Sequence, residues 1–306
     1  MRGFLCIVLI TAVGCETVVD VDAPPHESKL VATGIFTPDS VWSVTLHRSL
    51  SLNEPGSVHE HVVGGATVTI QEQGDDTAIS LVHFGEGVYR PIADLRPTAG
   101  KRYRLHAEAS GLPTINAETT TPADVDVSFV SVEQREDVFF GTNRVEYQIR
   151  IRLVDPPGKS FYELGLVEVE EDISEGEEVM QERYFQSADP SLHGFYDEAA
   201  DPNPVYDLSS DGGEVAYYGA IMTDRLFDGK TYEFSISTEW FRTPHGALYF
   251  SVSTFGPDYF DYQYTVRVGD PSPFVQPVQL YSNIEGGYGI FAGYTTKKLE
   301  ISSDGE

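Results

Sequence analysis

Along most of the chain apolar and polar residues alternate one for one, the period of a strand with one face buried and the other in water. Leu30-Val-Ala-Thr-Gly-Ile-Phe36 and Trp42-Ser-Val-Thr-Leu46 alternate in this way, and Gly65-Ala-Thr-Val-Thr-Ile70 follows them. Gln71 to Asp76 makes a turn, Ala78 to Phe84 returns, and Gly85-Glu-Gly-Val-Tyr89 opens another strand. After a Pro/Gly connection from Leu95 to Lys101, Tyr103-Arg-Leu-His-Ala107 alternates again. Short strands at regular spacing, with turn residues between them, predict an immunoglobulin-like β-sandwich over residues 28–122.

Thr119-Thr-Thr-Pro122 reads as the junction to a second β domain, residues 123–300, with a disordered tail at 301–306. Val125 to Val132, Val145 to Val154 and Tyr162 to Val169 read as strands, with Pro156-Pro157-Gly158 punctuating them. Glu170 to Glu214 then breaks the pattern with Asp, Glu, Pro, Ser and Gly, a long acidic insertion of the kind that is functional or mobile in compact domains. Strand periodicity returns over Val215 to Met222, Tyr232 to Thr238 and Ala247 to Phe255. Asp258 to Val268 carries two signals. Its aromatic and aliphatic residues alternate with polar ones as in a strand, whereas Pro257 and Asp258 suit the start of a helix. The fold class is therefore all-β: an N-terminal immunoglobulin-like sandwich, then a larger β-sandwich-type domain with at most one short helix.

The first residues break this pattern altogether. Arg2 is the one charge before an apolar run from Phe4 to Val13. A run of about ten residues is half of what a helix needs to cross a bilayer, so residues 1–14 read as a secretory signal. Ala12-Val-Gly-Cys15 resembles a lipobox, with Ala12 where leucine is usual; cleavage would fall before Cys15, whose thiol would carry lipid. Ordinary signal cleavage near Gly14, with Cys15 left as an idle thiol, is the other reading. Residues 15–27 are acidic, contain Pro24-Pro25, and read as a tether reaching up to about 40 Å.

Composition narrows the partners. The net charge of −28 repels nucleic acid and anionic headgroups, so neither is an expected ligand. Cys6 and Cys15 are the two cysteines; with one in the signal and one lipidated, no disulfide or catalytic thiolate is left. Stability must come from β-sheet packing, for which 41% hydrophobic and 12% aromatic residues are ample.

Catalytic signatures are sparse. H-E-x-x-H, G-x-S-x-G, S-x-x-K and C-x-x-C do not occur, although paired glycosidase carboxylates have no fixed spacing and stay open. Gly287-Tyr-Gly289-Ile-Phe-Ala292 formally matches a dinucleotide fingerprint but lacks the strand-turn-helix around it. His59-Glu-His61 could place two imidazoles on one strand face, yet its Gly/Pro surroundings read as an exposed loop pair without a third ligand. No cofactor is required. A structural Ca²⁺ held by Asp201, Asp207 and Asp211, beside Asn203 and Gly212-Gly213, competes with a plain solvated loop.

The tail Tyr281-Ser-Asn-Ile-Glu-Gly-Gly-Tyr-Gly-Ile-Phe-Ala-Gly-Tyr294 is similar to the C-terminal signature of a family of outer-membrane lipoproteins, domain of unknown function 4249. Ser282, Asn283, Ile284, Gly287, Gly289, Ile290 and Phe291 carry the match. "KLVATGIFTP", "GGATVTI", "GEGVYRP" and "GKRYRL" come earlier in the family's order. The resemblance implies a short helix over 258–268, a lipid anchor in the outer membrane, and company with a TonB-dependent receptor. It brings no assigned activity. The expected function is non-catalytic binding of a partner, or of a glycan or peptide ligand. A glycan-active enzyme and a purely structural surface protein are the alternatives. Asn283, Gly287, Tyr288, Gly289 and Phe291 are the candidate contact residues. The competing structural reading has Phe291 plugging the second domain's core, with Glu285-Gly-Gly287 as a tight turn.

If Asp201, Asp207 and Asp211 hold Ca²⁺, the ion should raise the melting temperature by mass action, by about 2.7 kcal/mol of stability at a hundredfold excess over Kd. An unchanged transition in millimolar Ca²⁺, with chelator as control, leaves the solvated loop standing.

Overall fold

The computed structural model describes residues 26–51, 61–139, 142–172, 177–193, 215–217, 219–241, 246–268 and 279–301. The first unit is built from β1 (Leu30–Phe36), β2 (Val44–Arg48), β3 (Thr67–Glu72), β4 (Ala78–Gly85), β5 (Val88–Arg90), β6 (Arg102–Glu108) and β7 (Ile115–Thr120). Burial alternates along β1 and β6 as the sequence pattern requires, so each strand sends every second side chain inward. β1, β2 and β5 form one layer and β3, β6 and β7 the other. β4 belongs to both, since Ala78 to Leu81 pair with β3 and, beyond them, Val82 to Gly85 pair with β5 through an irregular step at His83. Between the layers lie Leu30, Ala32, Val44 and Leu46 against Val68, Ile70, Leu105, Ala107 and Ile115.

The second unit holds β8 (Asp126–Phe139), β9 (Thr142–Val154), β10 (Phe161–Asp172), β11 (Glu177–Arg183), β12 (Phe185–Ser187), β13 (Leu192–His193), β14 (Val215–Tyr217), β15 (Ala220–Thr223), β16 (Thr231–Phe241) and β17 (Gly246–Phe255). Helix α1 (Pro257–Val268) and the last strand, β18 (Tyr288–Glu300), complete it. One layer runs β14-β12-β16-β9-β8 and the other β13-β15-β10-β17-β18. Tyr147, Ile149, Ile151, Phe234 and Ile236 face Leu164, Leu166, Phe250 and Val252 in the core between them. The described residues are β in character apart from α1 and a 3-10 turn at Asp224–Leu226, in keeping with the all-β class.

Two stretches differ from what the pattern alone suggests. Over Asp258 to Val268 the alternation is incidental. As a helix the segment closes its own backbone hydrogen bonds and lays Tyr259 and Phe260 over Phe161, Ile221 and Phe255 on the outer face of the second sheet. Phe260 stacks on Phe161 at 4.1 Å and Tyr259 on Tyr294 at 5.9 Å. The acidic stretch from Glu170 is not devoid of strand either. Glu177 to Arg183 pairs with β10 at the sheet margin, where residues 179–182 are exposed, so no buried face imposes alternation.

β18 joins the two sandwiches. Tyr288 to Gly293 run parallel to Val31–Phe36 of β1, and Tyr294 to Glu300 run antiparallel to Tyr249–Phe255 of β17. Phe291 consequently corrects the expectation attached to it. It is fully buried in the first sandwich, 5.0 Å from the ring of Phe36 and 6.3 Å from that of Trp42, and not in the second. The sequence places it far into the second-domain pattern that begins at residue 123, which is why proximity along the chain misleads.

Phe291→Ala should cost about 3–5 kcal/mol. Urea unfolding followed at Trp42, in a Trp240→Phe background, should show that loss in the N-terminal sandwich.

Candidate functional site

The family-like stretch Ser282 to Gly293 closes the seam between the two layers of the first sandwich. Glu285 exchanges both backbone hydrogen bonds with Asn116 of β7, at 3.1 and 2.8 Å, before the chain crosses to β1. Asn283 clasps the far side of the turn. Its amide donates to the Phe291 carbonyl at 2.8 Å and its carbonyl accepts from the Phe291 amide at 2.9 Å, imitating a strand pair with a side chain. The turn residue Gly286 has φ 81°.

Glycine is demanded where backbone meets backbone. Gly289 has φ 115°, and a Cβ there would stand 1.9 Å from the Ala32 carbonyl oxygen. At Gly287 a Cβ would meet the Leu30 oxygen at 2.4 Å. Of the candidate contact residues, then, Asn283, Gly287, Gly289 and Phe291 are occupied in closing the fold. Tyr288 differs: it is 44% exposed, and the Lys29 ammonium lies 5.5 Å from its ring centre.

Beside the seam lies an open groove of about 410 Å³ lined by Arg104, Asn116, Ala117, Glu118, Asn283 and Glu285. A second groove, about 260 Å³, lies between the Gln71–Asp76 turn and Arg102, and shares Arg104 and Glu118 with the first. The Arg104 guanidinium donates to Glu118 from Nε at 2.8 Å. On the same outer face of β6, His106 Nδ1 lies 2.9 Å from the Asn116 amide oxygen and Nε2 3.2 Å from Glu108. The face is polar and carries both donors and acceptors. Sequence reasoning passes over it because outward polar positions on a strand look alike. The available signal is Arg102-x-Arg104-x-His106, a run of basic residues along one face in a chain with only 20 lysines and arginines.

A second cluster lies in the other sandwich, with Asp155 and Asp224 buried and Asp228 exposed. Asp155, Asp224 and Asp228 bring carboxylate oxygens within 4.8 Å of one another between the β9–β10 and β15–β16 connections. Asp155 accepts from the Tyr162 hydroxyl and, at 2.7 Å, from the Gly229 amide. Asp224 accepts from the Ser160 amide at 2.5 Å and Asp228 from the Gly158 amide at 2.9 Å. These bonds tie two connections together, and a Ca²⁺ would need six or more converging oxygens. Burial pushes the Asp155 carboxyl above its usual range, against the pull of Tyr162 and Gly229. Burial also raises the Tyr162 hydroxyl, with Asp155 adding to the effect.

Other expected positions fall elsewhere. Cys15, His59, Asp201, Asp207 and Asp211 lie outside the described residues. His61 is not an exposed loop residue: it is 5% exposed, and neither ring nitrogen has a hydrogen-bond partner among the described residues.

Tyr162→Phe leaves Asp155 one donor short and should cost about 1–3 kcal/mol in urea unfolding. The pH dependence has a definite sign. A carboxyl whose folded pKa is raised penalises the folded state at neutral pH, and the penalty lifts as pH falls through that value. Wild-type stability relative to Asp155→Asn should therefore improve on mild acidification.

No curated protein matches the chain. Among solved structures, a mutant of Salmonella alpha-2-macroglobulin aligns with a TM-score of 0.23 and 9% identity, over 92% of this chain and 15% of that one. The chain thus spans less than a fifth of that protein's length. The family described as a domain of unknown function (DUF4249) matches over residues 16–300, taking in both sandwiches and the closing strand. The chain belongs to the DUF4249 family.

Proposed function

We propose that the protein is a non-catalytic binding protein, anchored in the outer membrane by lipid on Cys15, that presents the outer face of its N-terminal sandwich to a partner or ligand. The observation that carries this reading is the groove at Arg104. Its walls come from β6, β7 and the C-terminal stretch, so Asn283, one of the residues that carry the family resemblance, and its neighbour Glu285 border an open surface. Guanidinium, amide and carboxylate groups along an open groove suit the hydroxyls of a glycan or the backbone of an extended peptide. A TonB-dependent receptor is the expected protein partner, on the strength of the family resemblance alone. Tyr288, with an apolar ring and a neighbouring ammonium, supplies the kind of amphipathic anchor that binding surfaces favour.

Labelled palmitate should enter the wild type and not Cys15→Ala; equal labelling of both removes the anchor from the account. Capture of partners from solubilised membranes tests the face. Arg104→Ala and Tyr288→Ala should each weaken capture by about tenfold, equivalent to about 1.4 kcal/mol, while the melting temperature stays close to wild type. Undiminished capture by both variants would rule out this surface.

A further inference from the structure

We propose that the N-terminal sandwich stays open until the end of the chain enters it, so that the first domain in sequence is the last to fold. The inference is independent of the binding role proposed above. It rests on what β18 contributes to each sandwich. To the first, the C-terminal stretch gives Phe291 and Ile284, both inside the core, together with the whole outer partner of β1. Without it, Phe36 and Trp42 lose an aromatic neighbour, β1 keeps an unpaired edge, and the seam to β7 at Asn116 lies open. To the second, the stretch gives an outermost strand, Tyr294 to Glu300 on β17, with Tyr294 against Tyr259 and with Leu299 and Ile301 beside a core already made by β9, β10, β16 and β17.

Two physical costs set the order. The residues that must meet, Val31 and Tyr288, stand roughly 250 positions apart, and contacts across so long a loop form late. The second sandwich relies on nearer pairings: the β8–β9 hairpin, and β9–β16 and β10–β17 across fewer than about 100 positions. It can therefore form first and bring the two ends together. The fit is also exacting. At Gly289 the strand touches β1 backbone to backbone, and Asn283 then locks Phe291 in place, so a partly inserted strand gains little. Completion of the first sandwich thereby becomes a report that the rest of the chain is present and folded.

Pulse-labelled hydrogen exchange during refolding of the full wild-type chain tests the order directly. Amides of β9, β10, β16 and β17 should gain protection first, and those of β1, β2, β6 and β7 later, together with Tyr288 to Gly293. Protection of β1, β2, β6 and β7 ahead of Tyr288 to Gly293, or of both sandwiches in one step, overturns the proposal. At equilibrium, Gly289→Val in the full chain should speed exchange in β1, β2, β6 and β7 by about a hundredfold and change β9, β10, β16 and β17 by less than about threefold. A first sandwich that stays protected in this variant, or a uniform loss across both, contradicts it.

Discussion

When the backbone of Tyr288 to Gly293 lies parallel against Val31 to Phe36, one layer of the second sandwich becomes continuous with the N-terminal sandwich, while the layer β14-β12-β16-β9-β8 stays a separate sheet. Every specific feature of the C-terminal stretch follows from that contact. Gly287 and Gly289 are there because carbonyls of β1 occupy the space a side chain would need. Asn283 is there because the turn leaves the Phe291 amide and carbonyl without a strand on that side, and buried peptide groups require partners. Phe291 is there because the core beneath β1 has room for one more ring beside Phe36 and Trp42.

The same contact shapes the surface. By running from β7 to β1, the stretch builds one wall of the groove at Arg104 and leaves Tyr288 facing outward three residues beyond Glu285. Neighbouring residues thus differ in what they do for the fold: glycine, asparagine and phenylalanine hold the seam, while Tyr288 and the polar side chains of β6 face outward. The clustered carboxylates of the second sandwich, two buried and one exposed, have the opposite character. Asp155, Asp224 and Asp228 point at amides and a tyrosine hydroxyl, and they brace two connections at the expense of keeping acids near one another.

Much of the fold is legible in the sequence because half-buried strands must alternate. β1, β3, β6, β9 and β17 stand close to where their alternation puts them. What escapes the pattern escapes for physical reasons. β11 is exposed along most of its length, so nothing selects an apolar face. α1 carries an alternation that its helical geometry does not use, and the family resemblance, with Pro257 and Asp258, identifies it better than period does. The placement of Phe291 is a question of topology, and periodicity within a strand says which face a residue takes without saying which sheet receives it. Polar positions on β6 read as ordinary solvated residues until β7 and Glu285 are seen beside them.

The shared sheet requires that the C-terminal stretch close the N-terminal sandwich. Cysteines placed at Asn116 and Glu285, which are direct strand partners here, measure this most directly. In a Cys15→Ala background, with the Cys6-bearing signal removed, mild oxidation of the folded protein should join the two within one molecule and leave the melting transition cooperative. Thiols that remain free and reactive in the folded protein, or that link only between molecules, would place the C-terminal strand elsewhere and contradict the shared sheet.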